Sequence, residues 1–156
     1  MEKFLSLAYL AGFFDGEGCV YILRSRKKTA VYFSLEISFT NVAIEPLILA
    51  QELFAGQISE SRDIRDGKKC VKRLRVRGNQ ALRALELMLP FLLVKKRRAE
   101  IAIEFQKIMS SPNKSRARNL TVEECEKYKF AITSLNDKVW NKEETTKQAP
   151  VEEYGK

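Results

Sequence analysis

The chain has 156 residues, is 45% hydrophobic and contains no histidine, and this size and composition suit one folded domain with a sizeable core. Without histidine, serine and cysteine triads, histidine zinc sites and histidine-dependent nucleases are excluded, so carboxylates and lysine remain for catalysis. The net charge of +8 and the pI near 9.5 favour a polyanionic partner, although an acidic membrane surface would satisfy the charge alone.

Cysteine usage and apolar runs indicate the compartment. Cys19, Cys70 and Cys125 are odd in number and form no CxxC pair, so neither a disulfide framework nor a zinc ribbon is indicated. No apolar run is long enough to span a bilayer, and the first residues do not resemble a secretion signal. We expect a soluble, intracellular protein of the cytoplasm or an organelle matrix, with no membrane partner.

The first predicted element is a short helix with one apolar face. Its apolar residues recur at i, i+3, i+4 and i+7, and they are Leu7, Leu10, Ala11 and Phe14. Small residues on adjacent turns would let another backbone approach closely, and they are Ala8, Ala11 and Gly12.

Two carboxylates follow where this helix should end. Gly16 and Gly18 provide the permissive backbone of a helix end, but Asp15 and Glu17 place negative charge where the helix dipole disfavours anions. The pattern therefore predicts a positively charged group bound at this point. An ordinary solvated turn is the alternative interpretation.

Two strands and a basic hairpin tip come next. Residues 19–25 are typical of a strand, residues 24–29 of a basic tip, and residues 31–40 of a second strand. Apolar residues alternate along the second strand, and they are Val31, Phe33, Leu35, Ile37 and Phe39. Alternation alone is also typical of a sheet whose second face is open to water.

A helix over residues 44–54 separates these strands from a second hairpin, 57–63 and 69–77, with an Asp-Gly turn within 65–68.

Residues 62–77 carry eight basic and two acidic side chains, a local excess of +6. Alternation places Arg73, Arg75 and Arg77 on one face. Like charges on one face repel one another and destabilise the sheet unless phosphates or base edges bind them. A solvated basic hairpin is the alternative.

Helices are predicted for the remainder of the domain. One opens at Asn79 and is broken by Pro90, and another starts at about Val94 with the basic run 95–98 in its first turn. Residues 121–124 have capping-box spacing for a last helix to about Trp140. We therefore expect one domain over residues 1–141 and a polar, mobile tail over 142–156.

Residues 10–18, LAGFFDGEG, resemble the signature motif of the LAGLIDADG homing endonucleases. Phe13 and Phe14 replace an aliphatic pair, Gly16 an alanine and Glu17 the last aspartate; the motif positions kept unchanged are Leu10, Ala11, Gly12, Asp15 and Gly18. The order of predicted elements also resembles the αββαββα core of that family. The resemblance implies an α+β fold, with a four-stranded antiparallel DNA-binding saddle and C-terminal helices.

The resemblance also implies an active site. Glu17 would be a catalytic metal ligand aided by the Gly16 carbonyl, Lys95 would correspond to the active-site lysine, and Asn41 to a glutamine that positions solvent. The metal would be Mg²⁺, for which Mn²⁺ can substitute, whereas Ca²⁺ would bind without supporting efficient cleavage. An arginine found in better-studied members has no basic counterpart here, because Glu45 stands near its place.

Double-stranded DNA and a second copy of the chain are the implied partners, with no organic cofactor. Arginine on the saddle suits guanine O6 and N7, and glutamate can accept from cytosine N4. The implied DNA-binding residues are Tyr21, Leu23, Ser25, Arg26, Lys27, Lys28, Tyr32, Ser34, Glu36, Ser38, Gln57, Ser59, Ser61, Arg73, Arg75 and Arg77. The implied homodimer interface comprises Leu7, Ala8, Leu10, Ala11, Gly12, Phe14 and Asp15.

The activity implied is site-specific cleavage of both strands at a long, near-palindromic duplex site, leaving 3′ overhangs, in the homing of an intron or intein. A DNA-binding regulator or an RNA-splicing maturase on the same fold is the alternative. A basic scaffold on ribosomal RNA would explain the charge but not the motif.

Overall fold

The computed structural model describes residues 2–61, 70–111 and 120–137. The helices and strands in these ranges follow the predicted order. They are α1 (Glu2–Glu17), β1 (Gly18–Lys27), β2 (Ala30–Asn41), α2 (Glu45–Phe54), β3 (Gln57–Ser61), β4 (Val71–Arg77), α3 (Gly78–Met88), a 3₁₀ turn (Leu89–Phe91), α4 (Lys96–Met109) and α5 (Val122–Asp137). The predicted turn at 65–68, the helix end near Trp140 and the tail 142–156 lie outside the described residues.

The four strands form one antiparallel sheet in the order β1-β2-β4-β3. Residues directly opposite each other share a face. Tyr21 lies opposite Glu36, while Ser38 and Gln57 both lie opposite Arg75. The predicted polar residues therefore meet on one side of the sheet, which we call the outer face, and the predicted α+β class is confirmed.

The other side, the inner face, packs against the helices and forms the core. None of the described helices is both long and apolar enough to cross a membrane. The buried inner-face side chains are Val20, Ile22, Phe33, Leu35, Ile37, Phe39, Leu74 and Val76. The Phe14 ring of α1 lies 5.0 Å from the Phe39 ring, centroid to centroid, and both are fully buried. This contact joins α1 to the middle of the sheet.

The buried face of α1 corrects the predicted dimer interface. Its predicted apolar residues belong to the core of the chain itself, and they are Leu7, Leu10, Ala11 and Phe14. They cannot contact a second chain because at most 8% of each is exposed. The outward side of α1 instead presents Leu5 at 61% exposure, Tyr9 at 52%, and the exposed Gly12. Ala8, also predicted, is half-buried beside them.

Several element boundaries differ from the predicted ones. β1 continues to Lys27, which pairs with Ala30, so the predicted basic tip contracts to Lys28 and Thr29. α4 begins at Lys96 because the residues before it are held outside the helix, as described below. The predicted capping box is confirmed: Thr121 and Glu124 exchange hydrogen bonds between backbone N–H and side-chain oxygen at 2.7 and 3.2 Å.

Gly18 leads from α1 directly into β1 and leaves no room for a side chain. A Cβ atom there would lie 2.1 Å from the Cδ2 atom of the buried Phe14 ring. We expect Gly18→Ala to lower the free energy of unfolding by about 1–3 kcal/mol, because overpacking displaces neighbouring atoms. Urea denaturation followed by circular dichroism measures this difference.

Gly16→Ala is the matched control, since a Cβ atom at Gly16 meets nothing within 4 Å. It should leave stability unchanged or raise it by about 0.5–1 kcal/mol, because alanine favours helix. Equal stabilities of Gly18→Ala and the wild type would contradict the described packing.

Candidate functional site

The carboxylate of Asp15 joins the end of α1 to the start of α4. It accepts hydrogen bonds from the backbone N–H groups of Leu93 at 2.7 Å, Val94 at 3.2 Å and Lys95 at 2.8 Å. Lys95 is the N-cap of α4, and no side chain within that helix caps it. Asp15 therefore binds the backbone of the turn that leads into α4, including the N–H of the N-cap Lys95, and the dipole of α4 favours its charge. Both oxygens of Asp15, which was predicted as a dimer contact, bind within the chain, and the contact itself stays a prediction.

Lys95 is held on the same end of α1. The residue is only 7% exposed, and its Nζ donates to the backbone carbonyl of Asp15. Burial lowers the pKa of Lys95 and the nearby Arg98 lowers it further, whereas the charges of Asp15 and Glu17 oppose that shift. The positive group predicted at the end of α1 is thus provided by the chain itself, through Lys95 and the start of α4.

Glu17, the last residue of α1, is exposed, as is Gly16 before it. The Glu17 carboxylate and the Gly16 carbonyl are oxygen donors of the kind that Mg²⁺ prefers. No cluster of three or more Asp, Glu, Cys or His side chains that could hold a metal ion is found in residues 2–61, 70–111 and 120–137. The donors of one chain therefore suit the metal in type but are too few to surround it.

Asn41 ends β2, two residues beyond Phe39, the strand partner of Gly18. This register puts Asn41 at the same end of the sheet as the end of α1. Its Oδ1 accepts a hydrogen bond from the Ala43 N–H at 2.9 Å.

A lysine that the sequence did not single out lies beside Asn41. Lys72 of β4 is its cross-strand partner, and the Lys72 Nζ lies 3.4 Å from the Val42 carbonyl, to which it donates. Glu45, near the place of the absent arginine, is the first residue of α2. Lys72 is therefore a basic side chain at the Asn41 end of the sheet, and only the β2–β4 register reveals it.

Arginines dominate the centre of the outer face. The Arg73 Nε donates to the Thr40 hydroxyl at 3.2 Å. The Arg75 Nε lies 3.8 Å from one oxygen of Glu36, and the Arg77 Nε donates to the other. The side chains of Arg75 and Arg77 are 41% and 61% exposed, whereas that of Glu36 is only 4% exposed. The guanidinium groups thus face solvent above a covered carboxylate.

The other predicted DNA-contact residues are distributed around these arginines. Ser38 is 2% exposed and accepts a hydrogen bond from the Tyr21 hydroxyl at 2.6 Å. The Ser59 hydroxyl lies 3.5 Å from the Arg73 carbonyl, to which it donates. The side chain of Ser61 lies outside the described residues. Exposed or half-buried are Leu23, Ser25, Arg26, Lys27, Lys28, Tyr32, Ser34 and Gln57.

An open depression of about 440 Å³ lies at the centre of the outer face. It is lined by Tyr21, Leu23, Glu36, Arg73, Arg75 and Arg77. One wall is therefore partly apolar and the other is basic. Such a surface suits the mixed polar and methyl edges of base pairs.

The motif, the sheet and the site can now be compared with known proteins. Residues 10–110 match the sequence profile of the LAGLIDADG endonuclease family. The chain belongs to this family. The resemblance stated from residues 10–18 is thereby confirmed. Among curated proteins, no sequence matches this LAGLIDADG chain.

Solved structures of homing endonucleases share the fold of this LAGLIDADG chain. The archaeal intron-encoded I-Vdi141I, complexed with DNA, has a TM-score of 0.68 and 19% identity over 91% of this chain and 90% of its own. I-CvuI, in complex with its target in the presence of Ca, has a TM-score of 0.68 and 22% identity over 88% and 86%. I-TnaI has a TM-score of 0.57 and 22% identity over 90% and 92%.

The role of Asp15 in this LAGLIDADG chain can be tested by stability. We expect Asp15→Ala to lower the free energy of unfolding by about 1–3 kcal/mol, because it leaves three backbone donors, in the turn before α4 and at its N-cap, without their acceptor. Urea denaturation measures the loss. The matched control is Glu17→Gln, an exposed position two residues away, which should change stability by no more than about 0.5 kcal/mol. Equal losses in the two variants would contradict the capping role.

Proposed function

We propose that the chain is a homodimeric, metal-dependent endonuclease that cuts both strands of a specific, near-palindromic DNA site and leaves 3′ overhangs, in the homing of an intron or intein. One observation carries the proposal. The exposed Glu17 carboxylate lies beside the buried Lys95, at one end of a sheet whose outer face is rich in arginine.

Double-stranded DNA is the proposed substrate of the outer face. The net charge of +8 favours a polyanionic partner. On the outer face, the side chains of Arg75 and Arg77 are exposed. Arginine can bind guanine through two hydrogen bonds in the major groove. I-CvuI and I-Vdi141I, which share the fold, are both complexed with DNA.

A divalent metal ion is the proposed cofactor. Glu17 and the Gly16 carbonyl would hold Mg²⁺ together with ligands from the DNA and a second chain. When bound, the ion would lower the pKa of the attacking water and stabilise the leaving 3′ oxygen. Structures of I-CvuI on DNA are described with Mg and with Ca. We propose that Mn²⁺ replaces Mg²⁺ here and that Ca²⁺ supports binding without efficient cleavage.

Three side chains of the same end of the molecule would complete the chemistry. Lys95, fixed by the Asp15 carbonyl, provides a positive charge for the scissile phosphate. Asn41 has its Oδ1 engaged by the Ala43 N–H, so its amide nitrogen is left to donate to a water. Lys72 contributes the positive charge that other family members place near the position of Glu45.

A homodimer is proposed because a single Glu17 provides too few ligands for a metal site. The outward side of α1 suits the contact. Leu5 and Tyr9 expose apolar surface, and Gly12 leaves open space where a side chain would be. Two α1 helices packed on this side would bring both Glu17 carboxylates to the same region, and two-fold symmetry matches a near-palindromic site.

Cleavage is tested by Glu17→Gln, which removes a proposed metal ligand with little change of shape. Wild type and variant are incubated with a library of duplexes and Mg²⁺, and the cut ends are sequenced, while bound duplexes are selected separately. We expect the variant to bind the wild-type site and to lose cutting. Cutting at the wild-type rate would contradict the role of Glu17. Selective binding without cutting by the wild type would instead indicate a regulator.

Mixing the wild type with Glu17→Gln tests whether two chains share each active site. After refolding at equal amounts, random pairing leaves about one quarter of dimers with both carboxylates. Double-strand cleavage should then fall well below half of its value at the same total protein. A loss proportional to the mutant fraction would show that each chain acts alone.

The α1 contact is tested by Gly12→Leu. A side chain there has space within the chain but would separate two α1 helices, so we expect the variant to stay folded and become monomeric. Light scattering should give about twice the chain mass of 18.0 kDa for the wild type and the single mass for the variant. Lys127→Leu, on the exposed side of α5, is the control and should remain dimeric. A monomeric wild type that cuts DNA would refute the dimer.

A further inference from the structure

Glu36 is a buried carboxylate in the centre of the basic outer face. It lies opposite Arg77 in the β2–β4 register, and Arg75 is the diagonal neighbour on the same face. Its two oxygens are divided between these two arginines, one facing each Nε atom. Glu36 is 3% exposed as a whole residue, whereas the side chains of both arginines are exposed.

The geometry leaves specific donors available. The Glu36 oxygens face the Nε atoms of both arginines, with a hydrogen bond to Arg77 and an ion pair of 3.8 Å to Arg75, so the terminal nitrogens of both guanidinium groups remain for an external acceptor. A guanidinium group that is already oriented loses less conformational freedom when it binds a base edge. Arg73 differs, because its Nε is held by the neutral Thr40 hydroxyl.

The charge of Glu36 has a second consequence. Three arginines at alternating positions of β4 repel one another and attract any phosphate, whatever the sequence. One carboxylate beneath two of them offsets part of that charge. Sequence-independent attraction is thereby weakened, while the directional donors are kept.

We propose that Glu36 is a positioning residue that determines specificity: it orients Arg75 and Arg77 toward guanine and lowers the affinity for unrelated DNA. This inference rests on the proposed function, because it assumes that the outer face reads a duplex. It replaces the expectation that Glu36 itself accepts from cytosine, since its side chain is buried and its oxygens face the two arginines.

The test is Glu36→Gln, which keeps the shape and removes the charge. Selection of bound duplexes from a randomised library gives the base preference at every position of the half-site. Arg75→Ala and Arg77→Ala first identify the base pairs that these arginines read. We expect Glu36→Gln to reduce the guanine preference at those base pairs by about tenfold and to leave the other positions unchanged.

Affinity for unrelated duplexes gives a second readout. It should rise in Glu36→Gln, and the slope of log affinity against log salt should steepen by about one unit per subunit. Glu36→Asp keeps the charge and should keep the wild-type salt slope. Thr40→Val is the matched control: it removes the neutral partner of Arg73, so its effect should be confined to another base pair with no change of slope.

A double-mutant comparison separates positioning from a general structural effect. In an Arg77→Ala background, Glu36→Gln should cause no further loss at the base pair of Arg77, because it acts there through that arginine. Independent losses, an unchanged preference profile, or a selective loss of cytosine preference would each overturn the inference. If the wild type selects no duplex sequence, the proposed function itself is wrong. If the wild type selects a sequence, these outcomes test only the inference on Glu36.

Discussion

The hydrogen bonds of Asp15 to the start of α4 are the constraint on which the site depends. They join residues 78 to 80 positions apart in the chain. α4 begins at Lys96, directly after the last of these donors, and the side chain of Lys95 lies against the end of α1. A carboxylate that is unfavourable for its own helix is thus favourable for another, because it lies at the positive end of the α4 dipole. Glu17, two residues later, is left exposed.

Close packing at Gly18 fixes the end of α1 against the sheet. Strand β1 begins at Gly18, immediately after Glu17, and the Phe14 ring fills the space that a Gly18 side chain would need. Phe14 also packs on Phe39 of β2. The position of Glu17 is therefore fixed relative to the strands, so a ligand bound on the outer face would meet the end of α1 in a defined register.

Local patterns predicted most of the fold, and tertiary contacts decided the rest. Helical spacing, strand alternation and the capping box at Thr121 were sufficient for the order of elements and for the two faces of the sheet. The resemblance placed the apolar side of α1 against a second chain, whereas this side lies in the core of the chain itself. Periodicity could not decide between the two, because it identifies a buried face without identifying what buries it. The capping by Asp15, the pairing of Asn41 with Lys72 and the position of Glu36 all depend on contacts between distant residues, which spacing does not reveal.

Cations near the proposed DNA path differ in how they are held. Four of the cations at the centre and at the α1 end donate to an acceptor of the chain, and they are Lys72, Arg73, Arg77 and Lys95. Lys27 and Lys28 at the hairpin tip are exposed. Exposed lysines attract phosphates of any sequence, whereas side chains held before binding lose less entropy and favour one geometry. Under the proposed function, the exposed lysines of the tip would attract DNA of any sequence, and the held side chains of the centre would recognise one site.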